Sequence, residues 1–173
     1  MSEHQPVADQ GATLLALYDR AVPEVYGYLL PRCGSVIVAE ELTAETFLAA
    51  VAAVKRRTVR QMTVAWLVGV ARHKLVDHWR RMGREERNLR LIHDESVPEE
   101  DPWDERLDAA RARAVLDRLG PHHRAALTLR YLDGLSVPEV ADHLGRGVHA
   151  TEALLVRARI AFRRAYEGGG DDA

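Results

Sequence analysis

Along the chain, stretches with apolar residues at every third or fourth position alternate with short stretches marked by Gly, Pro and Ser, which is a helical rhythm and not the strict alternation of strands. The first periodic stretch runs from Thr13 to Leu30 and the second from Ala39 to Val54, with Leu42, Phe47, Leu48 and Val51 as expected core positions. Pro23 and Pro31 lack the N–H that a helix interior requires, so breaks or kinks are expected there, and Gly34-Ser35 supplies a loop. A third helix is expected over Thr63 to Arg81. On a helical wheel, Leu67, Ala71, Leu75, His78 and Met82 share its packing face, and Gly69, Arg72, His73, Arg80 and Arg84 lie opposite.

From His93 to Glu105 the periodicity stops: the stretch is acidic, contains Pro98 and Pro102, and has too little apolar surface to offset the entropy of ordering it, so it reads as a linker. Beyond it, Leu119-Gly120-Pro121 starts a helix carrying Ala125, Leu127, Leu129 and Leu132, which Asp133-Gly134 ends as a turn. Ser136-Val137-Pro138-Glu139 fits a capping box and opens a short helix through Val140, Ala141 and Leu144, stopped at Gly145. Arg146-Gly147 leads into a longer helix, about Val148 to Tyr166, with Thr151, Leu155, Ala158 and Phe162 as its packing stripe. A short helix, a glycine turn and a second helix with a polar, basic outer face is the helix-turn-helix arrangement. Its outer face offers Arg146 and Arg157 to phosphate or guanine, His149 and Glu152 to base edges, and Ala153 and Val156 to methyl groups.

Charge sharpens this division. The net −2 would by itself argue against a nucleic-acid partner, but it is a sum of opposed blocks. Residues 1–53 hold 2 basic and 7 acidic groups; residues 54–90 hold 11 basic against 3 acidic, or +8. Residues 91–108 come to −7, and residues 109–167 hold 10 basic against 6 acidic, or +4. Two cationic segments thus flank an acidic one. Solvation alone explains many charged helix faces, but here the excess is of one sign and follows the loop Lys55-Arg56-Arg57-Thr58-Val59-Arg60, as a surface that tracks a phosphate backbone requires.

Other chemistry finds little footing. The single cysteine, Cys33, forms no internal disulfide and reads as an inert, packed thiol. His73 and His78 are five apart and miss the spacing that sets two ligands side by side, so no metal or cofactor is expected; His122 and His123 read as a solvated first turn after Pro121. There is no nucleophile–base pair and no phosphate-cradling glycine loop, so an enzyme is not expected. No apolar run is long enough to span a bilayer and the N-terminus lacks a signal-peptide plan, so the expected location is the cytoplasm.

These residues, taken in order from Leu14 to Tyr166, resemble the extracytoplasmic-function (ECF) sigma factors of bacterial RNA polymerase. Ala39-Glu40-Glu41-Leu42-Thr43-Ala44-Glu45-Thr46-Phe47 resembles the family's polymerase-docking motif, with Ala44 where glutamine is usual. Trp66-Leu67, Ala71-Arg72-His73 and Asp77-His78-Trp79-Arg80-Arg81 resemble its promoter-melting helix, with His73 in place of asparagine. Arg124 to Gly134, Glu139-Val140-Ala141, Leu144-Gly145 and Arg157-Ala158-Arg159 resemble its C-terminal domain, with Gly147 where a serine or threonine cap is common.

The resemblance implies an all-α fold of two small helical domains joined by an acidic linker. A region-two domain would span residues 10–83, the linker 84–107, and a region-four helix-turn-helix domain 108–167, followed by a disordered tail at 168–173. Glu40, Glu41, Thr43 and Glu45 would dock on the β′ clamp helices of core RNA polymerase. Lys55, Arg56, Arg57, Arg60, Arg72, His73 and Arg80 would recognise and melt the minus-ten element of promoter DNA. Arg146, His149, Glu152, Ala153, Val156 and Arg157 would bind the minus-thirty-five element, and the same domain would meet the β flap. An anti-sigma factor is a further expected partner. The competing reading is a helix-turn-helix repressor or activator that never joins polymerase, which leaves Glu40–Phe47 and the Lys55–Arg84 surface without a purpose and predicts a dimer on palindromic half-sites.

Overall fold

The computed structural model describes residues 7–89 and 108–168; the N-terminus, most of the expected linker and the tail lie outside the described residues. Within these bounds every regular element is helical: α1 (Val7–Cys33), α2 (Val36–Lys55), α3 (Val64–Leu89), α4 (Ala109–Arg118), α5 (Pro121–Leu127), α6 (Val137–Leu144) and α7 (Val148–Gly168), with a π-helical turn over Thr128–Leu132. The chain divides into two compact units, Met1–Leu75 and Val76–Ala173, so that α3 contributes its first half to one and its second half to the other.

In the first unit α1 packs along α2. Of the breaks or kinks expected at Pro23 and Pro31, no break occurs: α1 continues through both. Each proline removes one donor, and the carbonyls four residues back belong to the exposed Asp19 and Gly27, where water can satisfy them. Ser35 caps α2, its Oγ accepting from Val38 N at 3.4 Å.

The core of α2 also differs from the expected one. Ala39, Leu42, Thr46, Ala50 and Val54 are buried, whereas Leu48 is 70% exposed, Val51 is exposed and Phe47 is half-buried. Hydrophobicity favours Leu48, but two alanines and a threonine on the inner face let the α1 backbone approach closely, and the Thr46 hydroxyl donates to Leu42 O at 2.7 Å, so burying it strands no polar group.

Thr63 caps α3, Trp66 N donating to its Oγ1 at 3.1 Å, and the helix runs eight residues beyond the expected end. Its buried line is Leu67, Ala71, Leu75, Trp79 and Gly83, one residue every four; Met82 is exposed and His78 half-buried. Trp79, absent from the expected packing face, is 2% exposed.

In the second unit α4, which the sequence reading did not separate, starts at Asp108, whose Oδ1 accepts from Arg111 N at 2.7 Å. Val115, Leu127, Ala158 and Phe162 form a core cluster that ties α4 and α5 to α7. The expected single helix after Pro121 is α5 plus the π turn, in which Asp133 N donates to Thr128 O at 3.0 Å; Leu132 faces outward. The capping box stands as expected: Ser136 N donates to Glu139 Oε2 at 2.8 Å and Glu139 N to Ser136 Oγ at 3.5 Å. Gly145, at φ 61°, ends α6 in the left-handed region that favours glycine. The stripe Thr151, Leu155, Ala158 and Phe162 is buried, joined by Leu154.

Candidate functional site

The residues expected to meet partners fall on three surfaces. The first is the outer face of α2. Glu40 and Glu41 are exposed, Thr43 turns its hydroxyl onto its own helix at Ala39 O (2.7 Å), and Glu45 reaches Lys74 Nζ on α3 at 3.8 Å. Thr43 and Glu45 are therefore engaged within the unit. The same face carries, beside the expected docking residue Glu41 and Ala44 of the same motif, Leu48 and Val51, which were expected in the core, and Ile37 (69% exposed). Their spacing of four, three, four and three residues is the seam along which one helix packs on another, and Ala44 in its middle leaves room for close approach. That spacing is readable in the sequence; of the expected core positions Leu42 is buried, and Leu48 and Val51 lie on this outer face.

The second surface is the turn between α2 and α3 with the start of α3. Lys55, Arg56, Arg57 and Arg60 are all exposed, while Val59 and Met62 are buried and Gln10 of α1 donates from Nε2 to Val59 O at 2.8 Å. The turn is thus pinned by its apolar residues and presents its cations outward. Arg57, directly after the helix cap, stands at φ 57°, where glycine is usual and another residue costs about 1 kcal/mol. A cation there is bought with strain. On α3, Arg72 is half-buried with its guanidinium 6.0 Å from the Tyr28 ring, and His73 is exposed.

Arg80 is placed differently from its neighbours in the expected set. It belongs to the second unit, where its Nη2 donates to Leu144 O at 2.9 Å and so satisfies a carbonyl at the C-terminus of α6, a favourable place for a cation. The structure thereby brings Arg80 together with Arg146. Burial lowers the pKa of Arg146, with further contributions from the like charges of Arg87, Arg157 and Arg80. A guanidinium does not give up its proton, so the crowding persists as a concentrated positive field suited to an anion.

His122, expected to be solvated, sits against Gly83 of α3; a β-carbon there would fall 2.4 Å from its ring. Arg87 Nη2 lies 2.8 Å from its Nε2. Desolvation and the charges of Arg87, Arg146 and His123 lower its pKa from 6.5 to about 4. Between those values the unfolded chain binds a proton that the folded chain refuses, so stability is complete above pH 6.5 and falls as pH drops toward 4. Urea unfolding at pH 7 and pH 5 should differ by about 1 kcal/mol from this ring, after allowance for solvent screening of a half-exposed group, and His122→Gln should remove that difference. An unchanged pH dependence in the variant would show that the ring is not held neutral.

The third surface is the outer face of α7. Thr151 is buried and its Oγ1 donates to Gly147 O at 3.0 Å, so its burial strands no hydroxyl. Outside the buried stripe, His149 and Glu152 are exposed and Ala153, Val156 and Arg157 are half-buried. His149 Nδ1 and Glu152 Oε2 are 3.1 Å apart. The arrangement offers donors, acceptors and methyl-sized contacts on the exposed side of one helix, the kinds of group that direct readout of a major groove uses. Among the described residues no group of three or more His, Cys, Asp or Glu could hold a metal ion. Cys33 is half-buried, its Sγ 3.1 Å from Leu29 O.

Comparison with known proteins gives the family. The family model described as Sigma-70 region 2 matches residues 17–85, and that described as Sigma-70, region 4 matches residues 109–162. The ECF RNA polymerase sigma factor BldN of Streptomyces coelicolor is 37% identical over 147 residues, which are 82% of this chain and 56% of that protein, so the chain spans little more than half of BldN. The ECF RNA polymerase sigma factor SigL of Mycobacterium tuberculosis (strain Erdman) is 31% identical over 164 residues, 90% of each chain. The sigma factor RpoE of Bartonella quintana, solved in complex with the anti-sigma factor NepR, shares the fold at a TM-score of 0.53 and 22% identity, over 95% of this chain and 99% of that one. With both sigma-70 regions in order, and likeness to SigL extending over nine-tenths of both chains, the protein belongs to the ECF sigma factors of RNA polymerase.

Proposed function

We propose that this chain binds core RNA polymerase and directs it to promoters by recognising and melting a minus-ten element and binding a minus-thirty-five element, without catalysis of its own. The observation that carries this reading is the exposed seam of α2, Ile37, Glu41, Ala44, Leu48 and Val51, on the same chain as a helix-turn-helix. A regulator that only binds DNA has no use for an apolar seam bordered by acids. A helix with basic flanks fits it, and in this reading the β′ clamp helices are that partner: the apolar residues supply contact and Glu40 and Glu41 steer association.

Exposed Lys55, Arg56, Arg57 and Arg60, with Arg72 and His73, suit the separated strands of the minus-ten element. Unstacking a base there costs a few kcal/mol that cationic contacts must offset. Arg80 joins that set only on leaving Leu144 O. The α7 face suits the minus-thirty-five duplex, and the exposed Tyr131 and Leu132 of the π turn offer apolar contact to the β flap. An anti-sigma factor is a further partner in this reading, as NepR is for RpoE of Bartonella quintana. No helix among the described residues is long and apolar enough to cross a membrane, and we place the protein with polymerase in the cytoplasm.

The test is to combine the protein with sigma-free core polymerase and a promoter library and to map transcript starts. Starts at a shared two-element promoter are expected. Failure to co-purify with core and to redirect its starts, with binding as a dimer to palindromic half-sites, would establish the repressor or activator reading instead.

A further inference from the structure

The second turn of α7 carries a carboxylate whose nearest ionised neighbours in sequence are both cations. Glu152 is exposed beside the buried stripe of Thr151, Leu154, Leu155 and Ala158, with Arg146 six residues before it and Arg157 five residues after it. A carboxylate on a surface meant for phosphates repels them, and does so without return unless it accepts a hydrogen bond in the complex. Phosphates and sugar-ring oxygens donate nothing. Base edges in the major groove do, through the amino groups of cytosine and adenine, and a carboxylate, which only accepts, matches cytosine N4; adenine sets an acceptor, N7, beside its amino group and so repels the second oxygen.

The geometry also supplies the means of aiming that carboxylate. His149, one turn earlier, is fully exposed, and its Nδ1 lies 3.1 Å from Glu152 Oε2. With Nδ1 donating, Oε2 is held and Oε1 is left for a partner. Neither side chain is buried against anything else, so the contact contributes little to stability and its consequence lies in orientation.

We infer that His149 and Glu152 act as one reading unit, in which the Glu152 carboxylate, positioned by the His149 ring, selects cytosine at a single position of the upstream promoter element. The inference rests on the proposed docking of α7 in the major groove. Glu152 is the specificity-determining residue and His149 a positioning residue.

The test uses the full chain assembled with core polymerase on a promoter library randomised across the upstream element, with base enrichment read at every position for the unaltered protein, Glu152→Ala, Glu152→Gln, His149→Ala and His149→Gln. The unaltered protein should enrich cytosine at one position by about tenfold or more. Glu152→Ala should abolish preference there and leave the other positions alone, and Glu152→Gln should turn it toward adenine, which an amide pairs with through N6 and N7. His149→Ala should reduce the cytosine preference several-fold, with partial recovery in His149→Gln, which restores a donor. Unchanged base preferences in Glu152→Ala, or an equal loss at all positions, would overturn the assignment to Glu152, and an unchanged cytosine preference in His149→Ala would overturn the positioning role. If the unaltered protein enriches no upstream sequence at all, it is the docking of α7 that fails.

Discussion

Glu41→Arg and Leu48→Asp should each weaken binding to core polymerase by roughly tenfold to a hundredfold, while the chain remains as stable as before. Both positions lie on the outer seam of α2, with Leu48 70% exposed and Glu41 exposed between Ile37 and Ala44. Surface changes of this kind shift stability by about 0.5 kcal/mol or less, because nothing within the unit is lost. At an interface the effects are large. Covering a leucine contributes about 1.5–3 kcal/mol, and setting a like charge against a basic partner costs several kcal/mol, so either change exceeds the roughly 1.4 kcal/mol that corresponds to a factor of ten.

Leu42→Ala supplies the contrast. Leu42 is 2% exposed on the opposite face and should lose about 2–5 kcal/mol of folding stability. Affinity for core enzyme measured by fluorescence anisotropy, with urea unfolding of the same variants, separates the two faces. Binding unaffected by Glu41→Arg and Leu48→Asp would remove the seam from the polymerase interface, and a large loss of stability would return Leu48 to the core.

The assignment of faces is also where the sequence was least legible. Element type followed from periodicity throughout α2, α3, α6 and α7, because an apolar residue every third or fourth position has one physical reading. The capping box at Ser136 and Glu139 and the stop at Gly145 were readable because each is a local bond or a local dihedral angle. What failed was any judgement requiring knowledge of the packing partner. In α2 the inner face carries small Ala39, Thr46 and Ala50 beside Leu42 and Val54, which suits close helix approach, while the larger Leu48 lies outside. Pro23 and Pro31 lie within α1, where the carbonyls they leave without a donor belong to exposed residues. The cationic surface of the α2–α3 turn was visible as charge, but its anchoring through Val59, Met62 and Gln10 was not. Likewise nothing near Arg80 or His122 in sequence indicates Leu144, Gly145, Gly83 or Arg87, because those contacts join residues far apart in the chain.

Gly145→Ala should destabilise the second unit by about 2–3 kcal/mol, a cost with two separable sources. One is local: at φ 61° an alanine side chain crowds its own backbone, which costs about 1–2 kcal/mol. The other depends on Arg80. A β-carbon at Gly145 would lie 2.0 Å from Arg80 Nη2, so the guanidinium must move and give up Leu144 O, its acceptor at 2.9 Å. A half-exposed charged hydrogen bond of this kind contributes about 1 kcal/mol.

The two sources predict a double-mutant cycle. Arg80→Ala removes the bond at the outset, so adding Gly145→Ala to it should cost only the local strain, and the pair should fall short of additivity by about 1 kcal/mol. Gly145→Asn, which tolerates the left-handed region better, should lose less of the local component while still displacing Arg80. Urea unfolding of the four combinations decides the matter. Additive losses would mean that Arg80 contributes nothing at the α6–α7 turn. A deficit would mean that the turn which aims α7 is held by a side chain that the minus-ten assignment also claims, so that Arg80 serves either contact only by leaving the other.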